Sequence, residues 1–234
     1  MSLFEPTSLI PDSFSGLVRL FPLPNLVLFP HVAQPLHIFE PRYLEMFEEA
    51  LESDGLIALV LLQPGWEREY EGRPPISPVA CLGRIASHER LPDGRFNLLL
   101  QGLRRTAIRR ELPAAKSFRQ AEVELLDDYY PTSGKATRPT LQRQVVEFAR
   151  QLLPDRAALR EELEQLLSAQ MPLGMLTDIF AHTLGFPLSV KQWLLAEGNV
   201  DRRAALLVER LTAILSAHTT TANDSGYPPP FSLN

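Results

Sequence analysis

Apolar residues run in short alternating or continuous stretches through the first half of the chain. In the second half they recur every three or four positions. Residues 17–21 (LVRLF) predict a strand closed by Pro22 and Pro24, residues 26–29 (LVLF) a second short apolar run stopped by Pro30, and residues 35–39 a third. Pro30 and Pro35 bound a turn with His31 at its tip. Phe29, Leu36, Ile38 and Phe39 read as core-facing. Pro41 then suits the first turn of a helix, where a missing N–H costs nothing. Tyr43, Leu44, Phe47, Ala50 and Leu51 recur at helical spacing, with Glu45, Glu48, Glu49 and Glu52 on the wet side. Glu40 or Arg42 is placed to form an ion pair across the helix start, and Gly55 suits a left-handed cap at its end.

Residues 56–62 (LIALVLL) are apolar on both faces, which predicts a strand in the centre of a sheet. A long loop over 63–78 carries Trp66 and Tyr70 among prolines and glycines. Pro92-Asp93-Gly94 sits between two strand patterns, 79–91 and 95–101, and predicts a hairpin. Gly102 marks a bulge or bend. Further strands are expected over 106–112 and 121–126.

Near Tyr129 the pattern changes to helical. The apolar stripes are Leu141/Val145/Phe148/Leu152, Leu159/Leu163/Leu166 and Leu173/Leu176/Ile179/Phe180/Leu184. Ser189 with Gln192 three positions on forms a capping box, with Leu188 and Trp193 as its staple. Asp201 is a candidate cap for a last helix bearing Leu207, Leu211, Ile214 and Leu215. The division expected is a lead-in over 1–16, a β domain over 17–130, a helical bundle over 131–217 and a polar, proline-rich tail over 218–234. The fold class is α+β.

Composition narrows the function. There are 23 basic and 28 acidic residues, a net charge of −5, so the chain as a whole has no pull toward nucleic acid or an anionic membrane. The single cysteine, Cys81, excludes an internal disulfide framework and favours a cytoplasmic setting. No leader pattern opens the sequence, and its longest apolar run is too short to span a bilayer.

The chemistry-bearing residues assemble into no known catalytic pattern. The only Gly-Lys pair, Gly134-Lys135, is followed by Ala136 and lacks the leading glycine of a nucleotide-binding loop. His31, His37, His88, His182 and His218 fall at no metal-ligand spacing, so no metal or other cofactor is expected. Cys81 lies in an apolar strand pattern and reads as an inert buried thiol. From Arg104 to Arg119 six basic residues (Arg104, Arg105, Arg109, Arg110, Lys116, Arg119) stand against one acid, Glu111. They make either a nucleic-acid patch or a solvated hairpin rim that pairs with the acidic first helix.

Three segments together resemble a known family. LFPLPNLVLFPHVAQPLHIFEPRYLEMFEEAL is similar to the opening of the Lon protease N-terminal domain, especially of its short stand-alone relatives. The matching elements are Phe21-Pro22-Leu23, Leu28-Phe29-Pro30 and Pro35 to Tyr43. VACLGRIASHERLPDGRFNLLLQGLRRTAI resembles its hairpin and Gly-x-x-Arg bend, and LPLSVKQWLLAEGNVDRRAALLVERL its helical end. His31 stands where Lon itself usually has glycine, and Pro24 where it usually has arginine. The resemblance implies a PUA-like, twisted β-barrel domain carrying one helix, followed by a helical bundle. It also implies a non-catalytic module for protein or unfolded peptide segments, without Lon's ATPase and Ser–Lys protease domains. Phe29, His31, Phe39, Trp66 and Tyr70 are the candidate contact residues. RNA binding through Arg104, Arg105, Arg109, Arg110 and Arg119 is the alternative.

Overall fold

The computed structural model describes residues 10–69, 72–152 and 171–223. In sequence order its elements are β1 (Leu17–Leu23), β2 (Ala33–Ile38), α1 (Pro41–Leu51), β3 (Leu56–Leu61), β4 (Val79–Arg90), β5 (Phe96–Glu111) and β6 (Arg119–Leu126). Four helices follow: α2 (Arg138–Leu152), α3 (Leu173–Thr183), α4 (Leu188–Ala196) and α5 (Val200–Asn223). The chain divides into two compact units, Met1–Tyr129 with Asp178–Asn199, and Tyr130–Thr177 with Val200–Asn234. Residues 178–199, grouped with the helices on sequence grounds, therefore count with the first unit.

The first unit is built on a six-stranded sheet in the order β2-β5-β4-β3-β1-β6, with β5 also pairing β6. β1 and β3 run parallel and the other pairs antiparallel. The extra pairing bends the sheet back on itself, while β2 hangs from one end of β5, so the sheet is twisted and mixed rather than a regular barrel. β3 takes the central place its two-sided apolar pattern predicts, with all six residues buried. Val18, Leu20, Leu56, Ala58, Val60 and Leu82 belong to one core cluster.

Helix α1 buries Tyr43, Met46, Phe47 and Ala50. The Phe47 ring lies 4.8 Å from that of Phe96 on β5. A fully buried phenylalanine of this kind contributes about 1.5–3 kcal/mol. Gly55 adopts φ 69, the left-handed cap its position predicts. Arg19, on β1, fastens the end of α1: its guanidinium donates to Glu49 (3.0 Å), Asp54 (2.8 Å) and Ser53 (2.6 Å).

Three local expectations change. Residues 26–29 form no strand and run as coil, yet Val27, Leu28, Phe29 and Pro30 are all buried. The two strands expected over 95–101 and 106–112 are one strand, β5, because a bulge absorbs the bend. Leu82 faces Arg104 and Gly83 faces Gly102, leaving Leu103 as the extra residue. The capping box at α4 does not form. The helix starts two residues earlier, at Leu188, behind Pro187 as N-cap with no side-chain cap bond. Gln192 instead donates to the Val79 carbonyl at 2.8 Å. Trp193, its supposed staple, is exposed.

In the second unit α2 packs along α5. Val145, Leu173, Leu176, Ala204, Leu207 and Leu211 are buried. Asp201 lies inside the first turn of α5 rather than before it, and its carboxylate takes Arg138 (2.6 Å). Arg203, fully buried, donates to the Thr177 hydroxyl at 2.8 Å. Residues 218–223, expected in the tail, continue α5, while the stripe Leu159/Leu163/Leu166 and residues 224–234 lie outside the described residues.

Candidate functional site

The segment joining β1 to β2 is fixed by backbone contacts rather than by pairing into a strand. The His31 N–H donates to the Gly102 carbonyl (2.9 Å), and the Gly102 N–H donates to the Val32 carbonyl (2.8 Å). A Cβ on residue 102 would fall 2.0 Å from the Phe29 carbonyl oxygen, so only glycine admits this approach. The close passage pins Phe29 inside, with no exposed surface and its ring 6.4 Å from that of His182. Phe29 is a core residue and not a contact residue. At the tip of the turn His31 takes φ 67, a left-handed conformation rare for a non-glycine residue, and its side chain is exposed.

The next exposed group is Phe39, just past β2. Its apolar run predicts a core position, but 58% of it is exposed, because the strand ends at Ile38 and the chain turns into α1. Its ring stacks on His37, with centroids 5.9 Å apart and planes 29° from parallel. The His37 imidazole Nδ1 lies 2.8 Å from the Asn97 side-chain oxygen on the neighbouring strand. Sequence reasoning passed over His37. Its signal was the outward position it holds in alternation with Leu36 and Ile38. Among the described strands β2 pairs only with β5. Pro35 supplies no N–H there, and the Gln34 side chain donates to the Pro35 carbonyl (2.9 Å), so this border is poor in groups that another strand would need. Trp66 lies half-buried in a 3-10 turn over Trp66–Glu69, and Tyr70 lies outside the described residues.

The basic run dissolves into pairs. Arg104 meets Asp127, Arg109 meets Glu124, Arg110 meets Glu122 and Lys116 meets Glu49. Arg119 donates to Glu111 through Nε (2.9 Å) and a terminal nitrogen (2.6 Å), and to the Pro74 carbonyl (2.8 Å). Arg105 is not on the surface at all: 3% of its side chain is exposed. It donates to the Leu195 carbonyl (2.9 Å), to Asp128 (3.1 Å) and to both carboxylate oxygens of the fully buried Asp178. Burial pushes the Arg105 guanidinium down, but the Asp178 carboxylate outweighs this and holds it above its ordinary value. All six cations of Arg104–Arg119 thus face carboxylates, but only Lys116 meets the acidic helix that the solvated-rim reading expects as partner, and Arg105 is buried. A patch so neutralised carries little of the field that follows a phosphate backbone.

The remaining titratable groups describe a scaffold. Cys81 is fully buried, and burial pushes its thiol far above the ordinary range, so it remains protonated and unreactive at neutral pH. Glu49, expected on the wet face of α1, is partly buried instead. Burial pushes it up, but the bond from Lys116 and the charge of Arg19 hold it below its ordinary range. Among the described residues no three or more His, Cys, Asp and Glu side chains gather as a metal would require, and no helix is long and apolar enough to cross a membrane.

The sequence pattern of the family described as "ATP-dependent protease La (LON) substrate-binding domain" matches residues 18–213. The Lon protease of Xanthomonas oryzae pv. oryzae is 29% identical over 191 residues, 81% of this chain and 22% of that protein. The Lon protease of Aquifex aeolicus is 30% identical over 186 residues, 75% of this chain and 22% of that protein. The chain thus spans under a quarter of the length of these curated relatives. Among solved structures, the N-terminal domain of Mycobacterium avium complex Lon protease superimposes with a TM-score of 0.66 at 14% identity, over 84% of this chain and 98% of that one. The Lon N-terminal domain protein from Xanthomonas campestris does so with a TM-score of 0.58 at 21% identity, over 82% and 97%. At these identities the two structures speak to the fold.

Proposed function

Because this chain belongs to the Lon substrate-binding domain family, we propose that it binds segments of other proteins without itself cutting them, and that the surface around β2 makes part of the contact. The observation that carries this reading is Phe39: a large aromatic side chain, mostly exposed, held in place by the His37 ring and, behind it, Asn97. A ring restrained in this way loses little freedom when a partner covers it, which favours its use as an anchor. His31 at the neighbouring turn and the half-buried Trp66 are further contact residues in this proposal. Contact through the side chains of Phe39 and His31 suits unfolded segments of varied sequence, since the β2 border favours no added strand. Nucleic-acid contact along Arg104–Arg119 draws no support, since each cation there already faces a carboxylate.

Fluorescence anisotropy with a labelled, reduced and carboxymethylated protein as the unfolded probe tests the proposal. Saturable binding is expected, weakened at least about fivefold by Phe39→Ser, a loss typical of an aromatic anchor. The melting temperature should not move, because the side chain is exposed. No affinity for the unfolded probe overturns the function. Binding untouched by Phe39→Ser removes the β2 surface from it.

A further inference from the structure

A cavity of about 270 Å³ opens on the first unit, away from any residue assigned above to partner contact. Among the described residues ten line it; four of these are cations, Arg42, Arg73, Lys116 and Arg119, and none is acidic. Tyr43 and Phe118 supply aromatic walls. These cations come from the start of α1, the loop before β4 and the segment leading into β6, so no scan of one linear charge run would group them.

Each cation is held by acceptors that do not line the cavity. Arg42 pairs with Glu40 (2.8 Å), as its place at the helix start predicts, and lies 4.8 Å from the Tyr43 ring centre. Arg73 donates through one terminal nitrogen to Glu111 (3.1 Å) and to the Leu112 carbonyl (2.9 Å). Lys116 bonds Glu49 and sits 5.3 Å from the Phe118 ring centre. Arg119 is anchored by Glu111 and the Pro74 carbonyl, with 10% of its side chain exposed. The side chains are therefore ordered before any ligand arrives, and an incoming anion need not pay to order them. A guanidinium carries five N–H donors. Among the described residues Arg119 commits three of them and Arg73 two, which leaves donors to spare for a ligand.

We propose that this cavity binds a carboxylate carried by a polypeptide on an apolar or aromatic residue. The inference rests on the polypeptide-binding function above and adds a chemical preference to it. The cations take the carboxylate by charge-assisted hydrogen bonds, and the attached side chain lies against the small surface that the largely buried Tyr43 and Phe118 leave exposed. The volume lies just under the roughly 300 Å³ at which sites for drug-sized ligands begin, which suits a single residue. The C-terminus of a polypeptide and an aspartate or glutamate side chain both present this chemistry.

Fluorescein-labelled pentapeptides ending in phenylalanine, one with a free C-terminal carboxylate and one amidated, separate the first source. A second pair, both amidated, with glutamate or glutamine beside the phenylalanine, separates the other. With the full-length protein, at least one acid should bind about tenfold or more tighter than its neutral twin. Raising the salt should erode that difference. Arg73→Gln and Lys116→Gln should abolish the preference while leaving the affinity for the neutral twin unchanged, with no more than the small loss of stability that a partly exposed ion pair contributes. Equal binding of acid and neutral peptides overturns the proposal, as does a preference that survives both variants. So does displacement of no peptide but tight uptake of inorganic phosphate, which would make the cavity a phosphate site. The carboxymethylated probe, read through the effect of Phe39→Ser, distinguishes the two levels. If it binds through Phe39 while the peptide preference is absent, the cavity proposal alone fails; if it does not bind, the function itself fails.

Discussion

Substituting Asp178 by alanine removes the main partner of a cation that cannot reach water. Arg105 is 3% exposed, Asp178 is fully buried, and two donors of the guanidinium point at its carboxylate. Breaking a buried ion pair from one side costs about 3–5 kcal/mol, chiefly because a charge stays behind without compensation. Here Asp128 and the Leu195 carbonyl still hold the guanidinium, so the loss for Asp178→Ala belongs near the lower limit, about 3 kcal/mol. Arg105→Met leaves the fully buried Asp178 without the guanidinium and belongs higher in the same range. The double variant Arg105→Met/Asp178→Ala buries neither charge of the pair and should be more stable than either single variant. The coupling between the two sites is then roughly 2 kcal/mol or more. Equilibrium urea unfolding measures all four proteins. Trp193, exposed on α4 two residues before the Leu195 carbonyl that Arg105 binds, reports by fluorescence; circular dichroism tests whether one transition suffices. A double variant whose loss equals the sum of the single losses would refute the reasoning. So would an Asp178→Ala loss below about 1 kcal/mol, the net worth of an ordinary hydrogen bond.

Gly102→Ala should destabilise the first unit by at least about 2 kcal/mol, since Phe29 must retreat and two backbone hydrogen bonds worth about 1 kcal/mol each are lost; chemical denaturation reads this. His31→Gly should be neutral to about 0.5 kcal/mol more stable, because relief of the left-handed φ is partly offset by glycine's greater freedom when unfolded. His31→Val should lose about 1 kcal/mol or more, and equal stability of the glycine and valine variants would contradict this account. Burial pushes Glu111 up, but Arg119 and Arg73 hold it below its ordinary range, as Lys116 and Arg19 do for Glu49. Both carboxyls then bind protons more weakly folded than unfolded. Their contribution is present above the ordinary value of 4.5 and is lost as the pH falls through the lower folded values. Urea midpoints measured from pH 6 down to pH 3 should fall less steeply in Glu49→Gln and Glu111→Gln than in the parent.

Elements whose pattern is local were legible. The β3 run has no polar face, so its central place followed; the stripe of α1 named Tyr43, Phe47 and Ala50 but missed the buried Met46 and included Leu51, which is exposed. What the sequence hid was burial without periodicity and partnership without proximity. Val27 to Pro30 are buried as coil, which no helix or strand period announces. Arg105 belongs in letters to an exposed basic run, yet its two carboxylates come from 23 and 73 positions away. Ser189 and Gln192 have capping-box spacing, but the Val79 carbonyl on β4 takes the Gln192 amide. Of the aromatic residues named at the candidate site, Phe29 is buried, Phe39 is exposed and Trp66 is half-buried. Phe29 and Phe39 look equivalent in sequence, and only the approach of Gly102 decides that the first is inside.

The sixteen-residue β5 meets β2 along its first half and β6 along its second half, with β4 on its other border from Phe96 to Ala107. This sets an order of assembly. The β4–β5 turn is short and self-contained, closed by Leu91 N–H to the Arg95 carbonyl, and forms with little loss of chain entropy. β3 and β2 join from the same stretch of sequence. β1 must then lie beside β3, with Leu20 against Ala58, and β6 beside β1, with Leu17 against Glu122, the most distant pairing in the sheet. A nascent polypeptide that has not yet released residues 119–126 therefore holds an open sheet with bare borders on β1 and β5. Synthesis of β6 is the step that closes the sheet.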